Sequence, residues 1–201
     1  MRASPLWPAG TALFAVTALV SPAQAFDPER TFAQGTQVVS AEGAYGAQFN
    51  LEGKATQSDL EFFSLGFRSS FLPFGPSFRG PLYGALEIGL EPVYQRYTEP
   101  MPAFWAGVAA VFRYHFLGLG RVVPYAELAG GAGGTDLRVR EIDSSFSFLV
   151  WGGVGASVFL TDSTAVYVGY RLAHNSNGNT SDPNRGWQAH VAVAGVSYYL
   201  R

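Results

Sequence analysis

Seven stretches of the chain alternate with period two, and in each the two parities divide the same way. Leu82, Gly84, Leu86, Ile88, Leu90 and Tyr94 interleave with Tyr83, Ala85, Glu87, Gly89, Glu91 and Gln95. Phe104, Ala106, Val108, Ala110, Phe112, Tyr114 and Phe116 interleave with Trp105, Gly107, Ala109, Arg113 and His115. The same sorting sets Val39, Ala41, Tyr45 and Phe49 against Ser40, Glu42, Gly46 and Gln48, and Phe63, Leu65, Phe67 and Phe71 against Ser64, Gly66, Arg68 and Ser70. Stretches around Val122–Leu128, Phe146–Leu160 and Val166–Leu172 complete the set. Successive side chains of a strand point to opposite faces, so each stretch reads as a strand with one apolar face and one face of small and ionisable residues. An eighth run, Trp187 to Leu200, is apolar or small on both faces, and its parity stays undecided.

Two architectures fit that pattern: a soluble barrel with an apolar interior, or a membrane barrel with an apolar exterior. The polar face separates them. It carries Glu42, Glu87, Glu91, Glu127, Arg68, Arg113 and Arg171 among Gly, Ala and Ser, a mixture suited to a narrow lumen of small residues and paired charges. A solvated exterior would carry more charge and many lysines; here charged residues are 14% of the chain and Lys54 is the sole lysine. The expected fold is therefore all-β: an eight-stranded antiparallel transmembrane barrel of outer-membrane type, whose interior side chains can just fill it. Closure satisfies every backbone hydrogen bond, as lipid requires. In so narrow a lumen the Glu and Arg residues, and His115, are expected to form a structural ion-pair ladder rather than an acid–base site.

Residues 1–25 read as a cleavable secretory signal, with Arg2, an apolar run from Ala9 to Val20 and an A-x-A pattern at Ala23-Gln24-Ala25. That leaves residues 26–201 as one barrel domain, exported to the bacterial outer membrane. Cysteine is absent, which removes disulfides and thiol chemistry. A net charge of −2 gives no electrostatic reason to expect nucleic acid. No cofactor or metal is expected: His115, His174 and His190 are few and fall partly on opposite faces. The run Gly130-Gly131-Ala132-Gly133-Gly134 lacks the Lys-Ser/Thr of a phosphate loop and is expected to end a strand and open a loop through Asp136 to Glu141.

One segment breaks the pattern. Continuing the outward row of Val166, Val168, Tyr170 and Leu172 brings His174 and Ser176 onto the lipid-facing side. Polar side chains there are costly unless they lie at the interface or serve a purpose. Residues i and i+2 share a face, so the imidazole can act as general base for the hydroxyl. His-x-Ser is a weak pattern on its own, however. Equally, the strand ends near Ala173 and His174-Asn175-Ser176-Asn177-Gly178 is a polar loop with Asn-Gly as its turn.

The spacing His174-x-Ser176-Asn177, followed by Pro183-Asn184-x-Gly186 and a last strand, resembles the signature of the lipid A 3-O-deacylase (PagL-type) family, outer-membrane barrels also described as acyloxyacyl hydrolases. The resemblance implies Ser176 as nucleophile, His174 as base, and Asn177 and Asn184 near the oxyanion. It implies an outward-facing site that removes an ester-linked acyl chain from lipid A of lipopolysaccharide in the outer leaflet, among membrane lipids; whether two copies pair as a homodimer it leaves open. The family's third catalytic member is a glutamate, and Gln188 stands at the matching position, with His190 two residues on. An amide can orient the histidine but cannot supply negative charge. Three readings follow: a serine esterase acting on lipid A, a non-catalytic or lapsed barrel with a structural or adhesive role, and a soluble lipid-binding barrel.

Overall fold

The structure, a computed structural model, describes residues 26–49 and 57–201; the expected signal at 1–25 lies outside them. Eight strands close into one antiparallel barrel: β1 (Gln37–Phe49), β2 (Glu61–Phe71), β3 (Gly84–Glu99), β4 (Ala103–Phe116), β5 (Val122–Thr135), β8 (Phe146–Phe159), β9 (Thr164–Ser176) and β10 (Trp187–Leu200). Two short strands, β6 (Arg138–Val139) and β7 (Ile142–Asp143), form a separate hairpin in the connection between β5 and β8. A short helix, α1 (Pro28–Thr31), precedes the barrel and is capped by the Asp27 carboxylate.

The alternation sorts as the period-two pattern requires. Phe63, Leu65, Phe67, Leu90, Leu128 and Val168 are exposed on the outside, while Glu42, Arg68, Glu87, Arg113, Glu127 and Arg171 are buried within. This arrangement excludes a soluble barrel with an apolar interior. Pairing with β1 and β9 settles the undecided parity of β10: Trp187, Ala189, Val191 and Val193 turn inward, and Gln188 and His190 turn outward. The glycine run ends its strand as expected, and the connection opens at Asp136. Gly130–Gly134 lies inside β5, paired against β4, where a Cβ on Gly131 or Gly133 would meet backbone oxygens of β4 at 2.6 and 2.3 Å. Glycine there permits close strand approach.

Register fixes the tilt. The row from Arg96 passes through Phe63, Tyr45, Ala192, Tyr170, Val154, Ala126 and Tyr114, and returns to β3 at Leu86, ten residues below its start. On eight strands that stagger tilts each strand by about 40°.

Arg68 occupies the middle of the lumen, 3.5 Å from Glu42, 3.4 Å from Glu91, 3.7 Å from Glu127 and 3.8 Å from Glu87. Arg113 binds Glu127 at 2.7 Å and lies over the Tyr125 and Tyr167 rings. Arg171 bridges Glu42 and Glu127, and His115 meets Glu87 at 2.7 Å. Above this layer Leu60, Phe62, Tyr97, Trp105, Leu149 and Trp187 fill one end of the barrel. Below it Phe32, Val38, Leu72, Phe159 and Tyr199 fill the other, beside Phe26 and Arg201. Three of the four connections of ten residues or more, 50–60, 136–145 and 177–186, lie at the end opposite Phe26 and Arg201, which marks that end as extracellular, while 72–83 lies at the other.

Candidate active site

β9 does not stop at Ala173. It stays paired with β8 as far as Ser176, opposite Phe148, and with β10 as far as Asn175, opposite Trp187. The polar-loop reading of His174–Ser176 is thereby corrected: cross-strand pairing continues, and the loop begins at Asn177. His174 and Ser176 sit half-buried on the outward row above Tyr170 and Leu172, while Asn175 between them is buried in the lumen. Two residues of strand separate their Cα atoms by about 6.6 Å.

Gln188 lies directly across from His174 in the β9–β10 ladder, and its Nε2 is 3.1 Å from His174 Nδ1. With the amide nitrogen towards the ring, Nδ1 accepts and the ring proton sits on Nε2. Turned over, the same amide accepts from Nδ1–H and leaves Nε2 the lone pair a base needs. The outward parity of β10, which the sequence alone left undecided, is what brings Gln188 to this position. His190 is engaged elsewhere: its Nδ1 bonds the Tyr170 hydroxyl and its ring stacks on Phe49 with centroids 4.0 Å apart.

The loop from Asn177 to Gly186 is held by its own asparagines. The Asn177 backbone N–H donates to Asn184 Oδ1 at 2.9 Å, and Asn177 Nδ2 donates to the Ser181 carbonyl at 2.8 Å and its hydroxyl at 2.9 Å. Asn177 is thus committed to the loop, whereas the Nδ2 of half-buried Asn184 has no partner among the described residues. Two glycines are required by backbone and contact alike. Gly178 has φ +64 and its Cβ would meet the Phe148 ring at 2.9 Å; Gly186 has φ +66 and its Cβ would meet His174 Cε1 at 2.7 Å. Gly186 therefore forms a floor against the imidazole edge that bears Nε2.

Below the site an outward groove of about 700 Å³ runs along the barrel wall, lined by His174, Gln188, His190, Tyr170, Leu172, Val150, Gly152 and Leu128 among others. Leu128, Gly152, Leu172 and His190 are successive partners in one register row, and the strand tilt carries mid-strand Gly152 beneath His174. The missing side chain at Gly152 makes the furrow between Leu128 and Leu172. Its composition is that of a surface for a hydrocarbon chain: apolar along its length, polar only at the top. Sequence reasoning missed it because no pattern within a single strand reports which outward residues of neighbouring strands come together.

The lipid A 3-O-deacylase (PagL) family matches the chain over residues 36–197, which spans seven barrel strands in full, β10 as far as Ser197, and the whole site. Comparison with curated proteins gives no match. Among solved structures the barrel is similar to the outer-membrane enzyme PagL, with a TM-score of 0.57 at 20% identity over 79% of this chain and 97% of that one. It is similar also to Neisserial surface protein A (NspA), with a TM-score of 0.56 at 18% identity over 82% of this chain and 99% of that one. Both likenesses speak for the fold; the family match, spanning most of the chain and the site with it, places this outer-membrane barrel in the lipid A 3-O-deacylase family.

Proposed function

We propose that the protein, exported by its signal segment, removes an ester-linked acyl chain, the 3-O chain, from lipid A in the outer leaflet, with Ser176 as nucleophile and His174 as base. The observation that supports this reading is the pairing of Gln188 with His174, at the head of an apolar groove and two residues from Ser176 on the same outward row. An acyl chain in that groove brings its ester to the boundary between hydrocarbon and headgroups, where the polar residues are. Ser176 Oγ attacks the ester carbon as His174 Nε2 takes its proton. The sugar–oxygen bond to the acyl carbon breaks, and His174 returns the proton to the departing alkoxide. Water then cleaves the acyl-serine by the same route and releases the fatty acid. The Nδ2 of Asn184, without a partner among the described residues, holds the oxyanion in this reading, and the Asn177 backbone N–H supports it by fixing Asn184.

Mass spectrometry of lipid A from Gram-negative cells producing the chain, beside cells producing Ser176→Ala, tests this. Loss of one acyl chain only with the wild-type protein is expected. Identical lipid A in both, with both barrels folded in the outer membrane, would overturn it. Gln188 favours a second reading, a barrel of the same fold and location whose hydrolysis has lapsed for want of a carboxylate. The unchanged lipid A profile is that reading's signature.

A further inference from the structure

The β6–β7 hairpin folds over the extracellular end of the barrel and brings Glu141, between its two strands, into full burial. A carboxylate taken out of water requires donors, and the described residues supply three. Glu141 Oε1 accepts from Gln48 Nε2 at 2.9 Å and from the Ser58 backbone N–H at 2.8 Å; Oε2 accepts from the Ser58 hydroxyl at 2.6 Å. These donors come from the end of β1 and from the segment entering β2, so the side chain is tied to the rim of the barrel on the side of the first two strands.

The backbone of the same residue faces the active-site loop. The Glu141 carbonyl accepts both the Arg185 N–H at 2.9 Å and the Gly186 N–H at 3.1 Å. Neighbouring contacts reinforce the junction: Ile142 bridges Asn184, and the Ser181 hydroxyl donates to the Asp143 carbonyl at 3.0 Å. Gly186 is in turn the residue whose Cα lies against the Cε1–Nε2 edge of His174. A continuous chain of contacts therefore runs from Gln48 and Ser58 through Glu141 to Gly186 and the imidazole.

We infer that Glu141 is a positioning residue for His174, holding the Arg185–Gly186 backbone as a fixed backstop for the ring. This inference rests on the reading of His174 as the base. The carboxylate anchors the hairpin, the anchored carbonyl fixes two consecutive N–H groups, and the fixed glycine holds the Cε1–Nε2 edge of the imidazole in place. Without the carboxylate the carbonyl loses its anchor, the loop gains freedom on its outer side, and the ring loses its wall.

The test uses the full barrel in detergent micelles as wild type, Glu141→Ala and Glu141→Gln, measuring backbone hydrogen–deuterium exchange and lipid A deacylation on the same preparations. Glu141→Ala is expected to raise exchange over residues 185–187 by about tenfold or more while the barrel strands keep their protection. It is expected to lower kcat by about tenfold to a hundredfold with KM little changed, as misplacement of a catalytic group does. Glu141→Gln can accept from Gln48 and Ser58 N–H with its carbonyl and donate to the Ser58 hydroxyl, so it is expected to restore both. Unchanged exchange at 185–187 in Glu141→Ala overturns the inference. So does a rise spread over the whole barrel, or raised local exchange with kcat unaltered. If the wild type does not deacylate at all, the assignment of Ser176 and His174 fails, and exchange still decides whether Glu141 fixes the loop.

Discussion

Gln188 Nε2 lies 3.1 Å from His174 Nδ1, in the cross-strand position where the family's pattern calls for a carboxylate. A carboxylate can only accept, so it fixes the proton on Nδ1 and stabilises the imidazolium formed when the serine is deprotonated. The amide offers both a donor and an acceptor, holds the ring in two tautomers and stabilises no charge. Gln188→Glu is expected to raise the rate of lipid A deacylation, by at least about tenfold and by up to the order of 10⁴ known for acid-to-amide exchange in serine triads. Time courses of acyl release measured for the two proteins check this. A glutamate variant no faster than wild type would mean that Gln188 does not act on the base.

Ser176 is half-buried at the strand end and its side chain is not part of the core. Ser176→Ala is therefore expected to abolish acyl release while leaving thermal unfolding of the barrel within about 0.5 kcal/mol of wild type. Residual release above background in that variant would move the nucleophile elsewhere.

The groove makes a separate demand. Gly152 is its floor, and a Cβ there comes no closer than 3.3 Å to a Leu128 methyl, so a side chain can be accommodated at the lipid-facing surface. Gly152→Leu is expected to fill the furrow and to displace several methylenes of a bound chain, each worth about 0.8 kcal/mol of burial. Deacylation of a long-chain ester should fall by about tenfold or more in kcat/KM, and hydrolysis of a short soluble ester should not change. Equal losses on both substrates would show damage to the site rather than to the groove.

How much of this was legible beforehand follows from what a strand encodes. Parity is local, so Glu87 against Ile88, or Arg171 against Leu172, announced inside and outside without any tertiary information. The same parity put His174 and Ser176 outward. The direction of β10 was not legible, because Ala189, Val191 and Val193 differ little from Ala192, Ala194 and Val196 in polarity; only its pairing with β9 turns Gln188 to the imidazole. Spacing marked Gly186 but not its contact with His174, and it gave no sign of Glu141, because both parts depend on a loop and a hairpin meeting over the barrel end. Nor did the resemblance that implied Asn177 near the oxyanion show that its donors bond Asn184 and Ser181 within the loop.

The lumenal ladder holds four carboxylates, Glu42, Glu87, Glu91 and Glu127, against the guanidinium groups of Arg68, Arg113 and Arg171. The four are not equivalent. Glu127 is contacted by all three arginines and accepts from Trp151 Nε1 at 3.2 Å. Glu91 meets Arg68 at 3.4 Å, yet neither of its oxygens accepts a hydrogen bond among the described residues. Glu127→Gln is expected to destabilise the barrel by about 3–5 kcal/mol, the usual consequence of leaving buried charge uncompensated. Glu91→Gln removes the surplus carboxylate and is expected to stay within about 1 kcal/mol of wild type. Urea unfolding in lipid vesicles measures both, and comparable losses would show that Glu91 is as firmly integrated as Glu127.

Two glycines with nearly the same backbone separate strain from contact. Gly35 has φ +85 with nothing within 4 Å of a Cβ placed on it, and Gly186 has φ +66 with His174 Cε1 at 2.7 Å. Alanine at either position meets a left-handed backbone that costs about 1–2 kcal/mol. Only at Gly186 does the added methyl push on the imidazole. Gly186→Ala is therefore expected to lower barrel stability more than Gly35→Ala, because its methyl also meets the Asn175 carbonyl oxygen at 2.8 Å, while deacylation survives Gly35→Ala and falls by about a hundredfold in Gly186→Ala. Measured together, melting and acyl release distinguish a site that depends on the exact seat of His174 from one that tolerates its displacement. Equal activity in the two variants would mean that the ring moves aside without loss, and that Gly186 serves the turn alone.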